Sequence, residues 1–342
     1  MLFYAVRRIL YAIPILFGVI LLTFTLFYVI NTPDTLAVKE LQKAANPETI
    51  RQWKIQKGFC VYTDEGFRKK MEIEAGRAAP GTEITEEDIR PVSKPILFLH
   101  YSVDLLTFNF GRDRDDRPVS AVLLDGMGPS LKMMVPAFCL SEMISIVLAL
   151  FCALYRGTVI DRAFVVLAVF LMSFNSVALI LFFQKFLAAD WRYFPISGYE
   201  SGLSGYVYLA LPILIYTALS MGAGIRFNRI LMLDEINQDY VRTARAKGLG
   251  ENTVLFRHVL RNALIPLITR WAVSIPFLYL GSLLLETFFG IPGLGGITVE
   301  AIQNADLSTM RAVVFLGALL FILANVAADI LYGIVDPRVQ VG

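Results

Sequence analysis

The side chains best placed to do surface chemistry lie between Asp239 and Ile268, in "DYVRTARAKGLGENTVLFRHVLRNALIPLI". Arg242, Arg245 and Lys247 crowd one short stretch, and Arg257, His258 and Arg261 follow a break at Gly248 and Gly250. Guanidinium groups pair with carboxylates and phosphates in a fixed fork, so the chemistry implied is recognition of an anionic surface. Asp239 to Lys247 holds no Pro or Gly and predicts a helix of about two turns. Gly248 and Gly250, taking positive φ, would end it. Thr243, Ala244 and Ala246 are small and would let another backbone approach while the Arg heads reach its carboxylates. Arg257 and Arg261, four apart, fall on one face of the next helical segment. The same cations also satisfy a simpler reading, a topological anchor or a contact with anionic lipid.

Other chemistry is thin. His100 and His258 are the only histidines, and Cys60, Cys139 and Cys152 show neither a disulfide framework nor metal spacing. No G-x-x-x-x-G-K-[ST] phosphate loop occurs, so the chain has no ATP site of its own kind. The net charge of +2 implies no bulk attraction to nucleic acid.

The elements that must position the basic stretch are apolar. Of 342 residues, 56% are hydrophobic, gathered in runs near the length of about twenty that crosses hydrocarbon as a helix. Six spans are expected, at about 9–30, 131–154, 163–187, 206–225, 262–285 and 311–333, in an all-α membrane protein. The first reads as a retained signal anchor, because it is too long for a signal-peptide core and no small-residue cleavage site follows. Arg7, Arg8, Arg156, Arg162, Arg226, Arg229, Arg338 and the basic stretch alternate as inside loops, which predicts both termini in the cytoplasm.

Three parts follow: the helix 1–30, an extracytoplasmic segment 31–130, and a five-helix core 131–342 with a cytoplasmic loop 226–261. In the middle part, Asp34 to Phe59 reads as one or two short helices. Gly66 to Arg90 reads as an exposed loop with a helix start at Thr85 capped toward Asp88. Lys94 to Phe110 reads as an interfacial helix rather than a seventh crossing, since a seventh would break the charge pattern.

Polar groups inside the spans mark a second place for chemistry: Glu142, Asn175, Gln184, Arg270, Asn325 and Asp329. Charges in hydrocarbon face a cavity or a partner. Glu142 and Arg270 would pair with each other, as packing or otherwise, or line a path with Asn175 and meet a zwitterionic solute. Pro212, Pro266 and Pro276 would kink their helices. "ETFFGIPGLGG", with Glu286, Pro292, Gly293 and Gly295, is too glycine-rich in "GIPGLGG" for a regular helix. It reads as part of an outer gate or receiving surface, or as a plain turn.

These motifs carry a resemblance. The basic stretch resembles the cytoplasmic loop of ABC importer permeases, and "YVRTARAKG" followed by "HVLRNALIP" is similar to the peptide subgroup of dipeptide, oligopeptide and nickel permeases. "VRRILYAIPILFGVILLTF", "RPVSAVLLDGMGPSL", "ETFFGIPGLGG" and "VDPRV" resemble further parts of that subgroup. The Pro-Gly-Asp-Pro turn usual after the first helix is replaced by Asn31-Thr32-Pro33-Asp34, and roughly 59–93 looks like extra sequence that contacts a partner or is simply tolerated.

The resemblance implies a non-catalytic permease subunit in a bacterial inner membrane. It would pair with a homologous permease, rest on two ATP-binding subunits that hold the ATP and Mg, and receive peptides from an extracytoplasmic substrate-binding protein. Asp239, Tyr240, Arg242, Thr243, Ala244, Arg245, Ala246, Lys247, Gly248, His258 and Arg261 would form the contact with the ATPase. A nickel chelate, an oligosaccharide or an antimicrobial peptide would fit the same family. A proton-coupled secondary transporter using Glu142 or Asp329 stands as the competing class, although no internal repeat is seen.

Overall fold

The computed structural model describes residues 2–41, 45–75, 77 and 84–335. The side chains of Arg8 and Asp329, the start of "GTEITEEDIR" and all of 336–342, including Arg338, lie outside that description. Two compact units divide the chain, one of residues 14–122 and 300–316, the other of 1–13, 123–299 and 317–342.

In chain order, helix α1 (Leu2–Phe24) ends in a π-helical turn, Thr25–Val29. Helices α2 (Pro33–Leu41) and α3 (Pro47–Gln56) both open on a proline, whose missing N–H costs nothing in a first turn. Asn46 and Thr49 close a reciprocal cap on α3. Strand β1 (Cys60–Tyr62) pairs antiparallel with β2 (Ile89–Pro91). Between them lie helix α4 (Asp64–Glu74) and a 3-10 turn, Glu86–Asp88. Helix α5 (Lys94–Leu106) follows.

The expected loop over 66–90 is therefore corrected: its first part is helical to Glu74 and its end is a strand. The sequence signal was weak because Gly66 reads as a breaker. Here the glycine serves contact instead, since a Cβ at 66 would collide with the Asp88 carbonyl. The Thr85–Asp88 cap is present: Asp88 Oδ2 accepts from the Thr85 amide at 2.8 Å and from its hydroxyl at 2.9 Å. Lys69 at 2.8 Å and the Thr85 amide hold the Asp88 carboxyl down at about 2. In this unit Trp53, Phe59, Tyr28 and Phe24 stack in sequence at 5.5, 5.0 and 5.4 Å between centroids. Burial pushes the Tyr101 phenol up to about 12, and its hydroxyl donates to Thr23.

The other unit carries, from Leu123 on, helix α6 (Val119–Leu154), whose 36 residues extend about 54 Å, well beyond the expected 131–154 and the hydrocarbon thickness. Next come α7 (Val159–Met172) and α8 (Ser176–Phe183), the latter continued by a π-helical turn Gln184–Asp190. The single span expected at 163–187 is corrected to this pair, bent by 94°. Asn175 makes the break, its side chain accepting from the Val177 and Ala178 amides at 2.9 and 3.2 Å.

Helix α9 (Tyr206–Ile236) follows, then α10 (Asp239–Ala246). Helix α11 (Glu251–Thr253) runs through a π-helical turn, Val254–Val259, into α12 (Leu260–Leu280). Last are α13 (Leu283–Phe289), α14 (Leu294–Gln303) and α15 (Leu307–Val335).

Among the described residues, five helices are long and apolar enough to cross a membrane, or six with the bent pair counted as one span. The chain is an all-α membrane protein, with one two-stranded sheet among the described residues. Glycines let the spans approach closely: a Cβ on Gly222 would lie 2.7 Å from the Ala168 carbonyl of α7, and one on Gly224 2.5 Å from Ser145 Oγ of α6.

Candidate functional site

The basic stretch folds as α10, anchored on one face and bare on the other. Val241 and Ala244 are buried in a cluster with Ala149, Leu150 and Ala153 of α6, Met232 and Ile236 of α9, and Ala263 and Leu267 of α12. Arg242, Thr243, Arg245, Ala246 and Lys247 are exposed. Ala244 therefore packs inward and does not belong to the outer small-residue surface expected for it. The helix period puts it on the face of Val241, three residues earlier.

Gly248, at φ +76°, closes the helix: its amide donates to the Arg245 carbonyl at 2.9 Å and the Leu249 amide to Ala244 at 3.4 Å. Gly250 does not take positive φ; at φ −63° it caps α11. Arg245 forks onto Glu251 at 2.8 and 3.1 Å, and Arg242 reaches Asp239 at 3.4 Å. Arg257 and Arg261 are exposed and His258 half-buried.

Tyr240 fastens α10 to its neighbours, donating its hydroxyl to Glu235 at the end of α9. Burial, and then the Glu235 carboxylate, push this phenol up to about 12. Tyr240 stands out in the sequence and Glu235 does not, because a carboxylate five residues upstream, on the last turn of α9, obeys no single-helix spacing.

Glu142 and Arg270 meet. Arg270 donates to Glu142 Oε1 and, at 3.1 Å, to Asn228 Oδ1, while Trp271 Nε1 donates to Glu142 Oε2 at 2.9 Å. The Arg270 guanidinium also lies 4.8 Å from the Phe227 ring centroid. Three helices, α6, α9 and α12, thus share one buried charge pair. Mutual pairing, one of the two readings left open for these residues, is present. Asn175 stands apart as the α8 cap and is exposed.

Glu286 is 0% exposed and fully surrounded by donors. Oε1 accepts from Ser130 Oγ at 2.8 Å and the Ser282 amide at 3.3 Å, and Oε2 from the Gly296 amide at 3.1 Å. Ser130 Oγ in turn accepts from the Leu294 amide at 2.8 Å. A Cβ on Gly281 or Gly293 would collide with the Glu286 carboxylate, and one on Gly295 would lie 2.8 Å from it. Pro292 is exposed on this turn.

"GIPGLGG" is thus part turn and part helix: Leu294 to Gly296 open α14. This corrects the expectation that the motif cannot be helical. First-turn amides have no partner within their own helix, so they are free to meet Glu286. Ser130 and Ser282 carry this cage and were not singled out from the sequence. Ser130 lies within a quoted motif, but nothing local pairs it with a residue 156 positions away.

Beside the cage, helix interruptions at Asn175 and Gly281 border an open cleft of about 240 Å³ whose lining includes Ser176, Ile180, Tyr216, Ser220, Ser282 and Leu285.

Comparison with known proteins agrees with this architecture. Residues 145–341 match the family model for the binding-protein-dependent transport system inner membrane component. The glutathione transport system permease protein of Salmonella choleraesuis is 32% identical over 246 residues, 72% of this chain and 79% of the relative. The oligopeptide transport system permease protein of Bacillus subtilis is 33% identical over 258 residues, 72% of this chain and 80% of the relative. The glutathione permease of Pectobacterium atrosepticum is 29% identical over 99% of both chains. The chain belongs to the family of binding-protein-dependent transport system inner membrane components, as a multi-pass inner-membrane permease subunit of an ABC importer.

Proposed function

We propose that this subunit imports peptides, forms half of a translocation path with a homologous permease, and takes its driving force through α10 from one of two ATP-binding subunits. An extracytoplasmic binding protein delivers the cargo, and ATP and Mg stay in the ATPases. The peptide cargo rests on the relatives' names, glutathione and oligopeptide transport permeases.

The observation that carries the coupling role is the two-faced α10. Its apolar side lies in one buried cluster with the turn Val254–Val259 and with residues of α6, α9 and α12, and its cationic side is bare. A push on the bare face moves the helix as a rigid body, because the Gly248 closure and the Tyr240–Glu235 bond fix both ends. The displacement passes to three spans at once, the same three that share the Glu142–Arg270 pair. That pair occupies Glu142, one of the two carboxylates on which proton coupling would have rested.

Ala246→Glu tests this, because it adds a carboxylate to the cationic bare face without touching the core. In the reconstituted complex the variant inserts and assembles but loses peptide-dependent ATP hydrolysis and uptake by at least tenfold. Uptake at the wild-type rate, or uptake without any ATPase subunit, would refute the coupling role.

A further inference from the structure

Two of the membrane helices stop and restart beside the same cleft. The α7–α8 span breaks at Ser173–Asn175, and the span holding α12 and α13 breaks at Gly281, whose φ +72°, ψ −168° is open only to glycine. Neither break coincides with a proline in the sequence. Irregular backbone within an apolar segment persists only where protein buries it or where it lines a polar cavity. Here both restarts contribute a serine to the cleft: Ser176 opens α8 and Ser282 caps α13.

Tyr216 and Ser220 face them from the interior of α9. Among the described residues the Tyr216 and Ser176 hydroxyls have no hydrogen-bond partner. No charged side chain lines the cleft, and its floor is apolar, with Ile180 and Leu285 each 1% exposed.

We propose that this cleft is a transit subsite for one residue of a peptide in passage. It rests on the peptide-import reading above and adds to it the place and manner of contact. The free hydroxyls donate to and accept from a peptide bond, which every peptide presents, and the apolar floor takes an uncharged side chain. At about 240 Å³ the cleft falls below the roughly 300–1,000 Å³ of sites that enclose a whole small ligand, so it holds a part of the cargo and not all of it. A transport path needs contacts weak enough to leave as well as to enter. A neutral site meets that need, whereas a charged one facing a peptide terminus in low dielectric would hold it. The Glu286 cage sets the wall, since the amide of Ser282 is bonded to its carboxylate.

The test uses the complete reconstituted importer with its binding protein and ATPases, and two probes, trileucine and triglycine. Ser220→Leu fills the cleft and lowers the trileucine-to-triglycine uptake ratio at least tenfold, because only the larger side chain needs the space. Tyr216→Phe removes a hydroxyl and slows both peptides alike by several-fold, leaving the ratio near that of wild type. A wild-type ratio in Ser220→Leu overturns the subsite, as does a wild-type rate for both peptides in Tyr216→Phe. Should Ser220→Leu not assemble, Ser176→Val decides by the same ratio. If the wild-type complex hydrolyses ATP yet moves neither peptide, the peptide reading itself is overturned, and that outcome is distinct from the other two.

Discussion

Ser130 donates its hydroxyl to the Glu286 carboxylate at 2.8 Å while accepting the Leu294 amide at the same distance. One side chain of α6 thereby ties down both the start of α14 and the acid of α13. A buried carboxylate is tolerated only when its oxygens are satisfied, and here each has a donor.

Removing either partner leaves buried polar atoms unmatched. Ser130→Ala should destabilise the chain by about 1–3 kcal/mol, the cost of an orphaned buried group. Glu286→Gln should cost at least as much, because its amide N–H groups would face the donors now satisfied. Thermal unfolding in detergent of the two single variants and the double variant measures their coupling. A coupling energy near zero would show that the two groups act independently.

Gly281 and Gly248 both have positive φ, but for different reasons. A Cβ at 248 meets open space, whereas at 281 it meets the Glu286 carboxylate. Gly248→Ala should therefore cost only about 1 kcal/mol of backbone strain. Gly281→Ala should cost several-fold more and lower the unfolding midpoint accordingly. Equal midpoints for the two variants would remove the steric account of the α12–α13 break.

Some of this arrangement can be read in the sequence, where the determinant is local. The α10 helix and its stop at Gly248 follow from ten consecutive residues, and the Thr85–Asp88 cap from four. The breaks are hidden for a physical reason. Asn175 in an apolar run reads as a polar group within a span, since its role as a cap depends on a bend that tertiary packing selects. Gly281 is one glycine among many, and only the carboxylate pressed against it makes its conformation necessary. Ala244 is small and buried in an apolar cluster, and the same composition reads equally well as a surface for a partner.

The two alanines of α10 separate these roles. Ala244→Glu places a carboxylate in the apolar cluster and should lower the yield of folded, inserted protein sharply. Ala246→Glu should leave yield and unfolding midpoint within about 0.5 kcal/mol of wild type, as for an exposed substitution. Gel-filtration profile and midpoint measured together give the answer. Comparable losses in both variants would mean that α10 has no bare face.

The Glu142–Arg270 pair should be far less tolerant of single changes than of a joint one. Arg270→Met strands a buried carboxylate and should cost about 3–5 kcal/mol. Adding Glu142→Gln, which keeps an acceptor for Trp271, should recover a large part of that loss. Unfolding midpoints of the two variants test this. A double variant less stable than Arg270→Met would indicate that Glu142 is held by groups other than the arginine.

Asp88 gives a pH dependence of predictable sign. Its carboxyl is held at about 2, below the ordinary 3.8, by Lys69 and the Thr85 amide. A carboxyl with a lowered folded-state value stabilises the fold when ionised. Its contribution is complete above roughly pH 5 and is lost as the pH falls from about 4 toward 2. Asp88→Asn should therefore unfold at a lower temperature than wild type at pH 6, and the gap should close progressively as the pH approaches 2. Lys69→Met should reproduce part of the pH 6 loss, since it removes the first cause of the shift. A gap between wild type and Asp88→Asn that stays constant from pH 6 to pH 2 would show that the carboxylate is not what links α4 to the turn before β2.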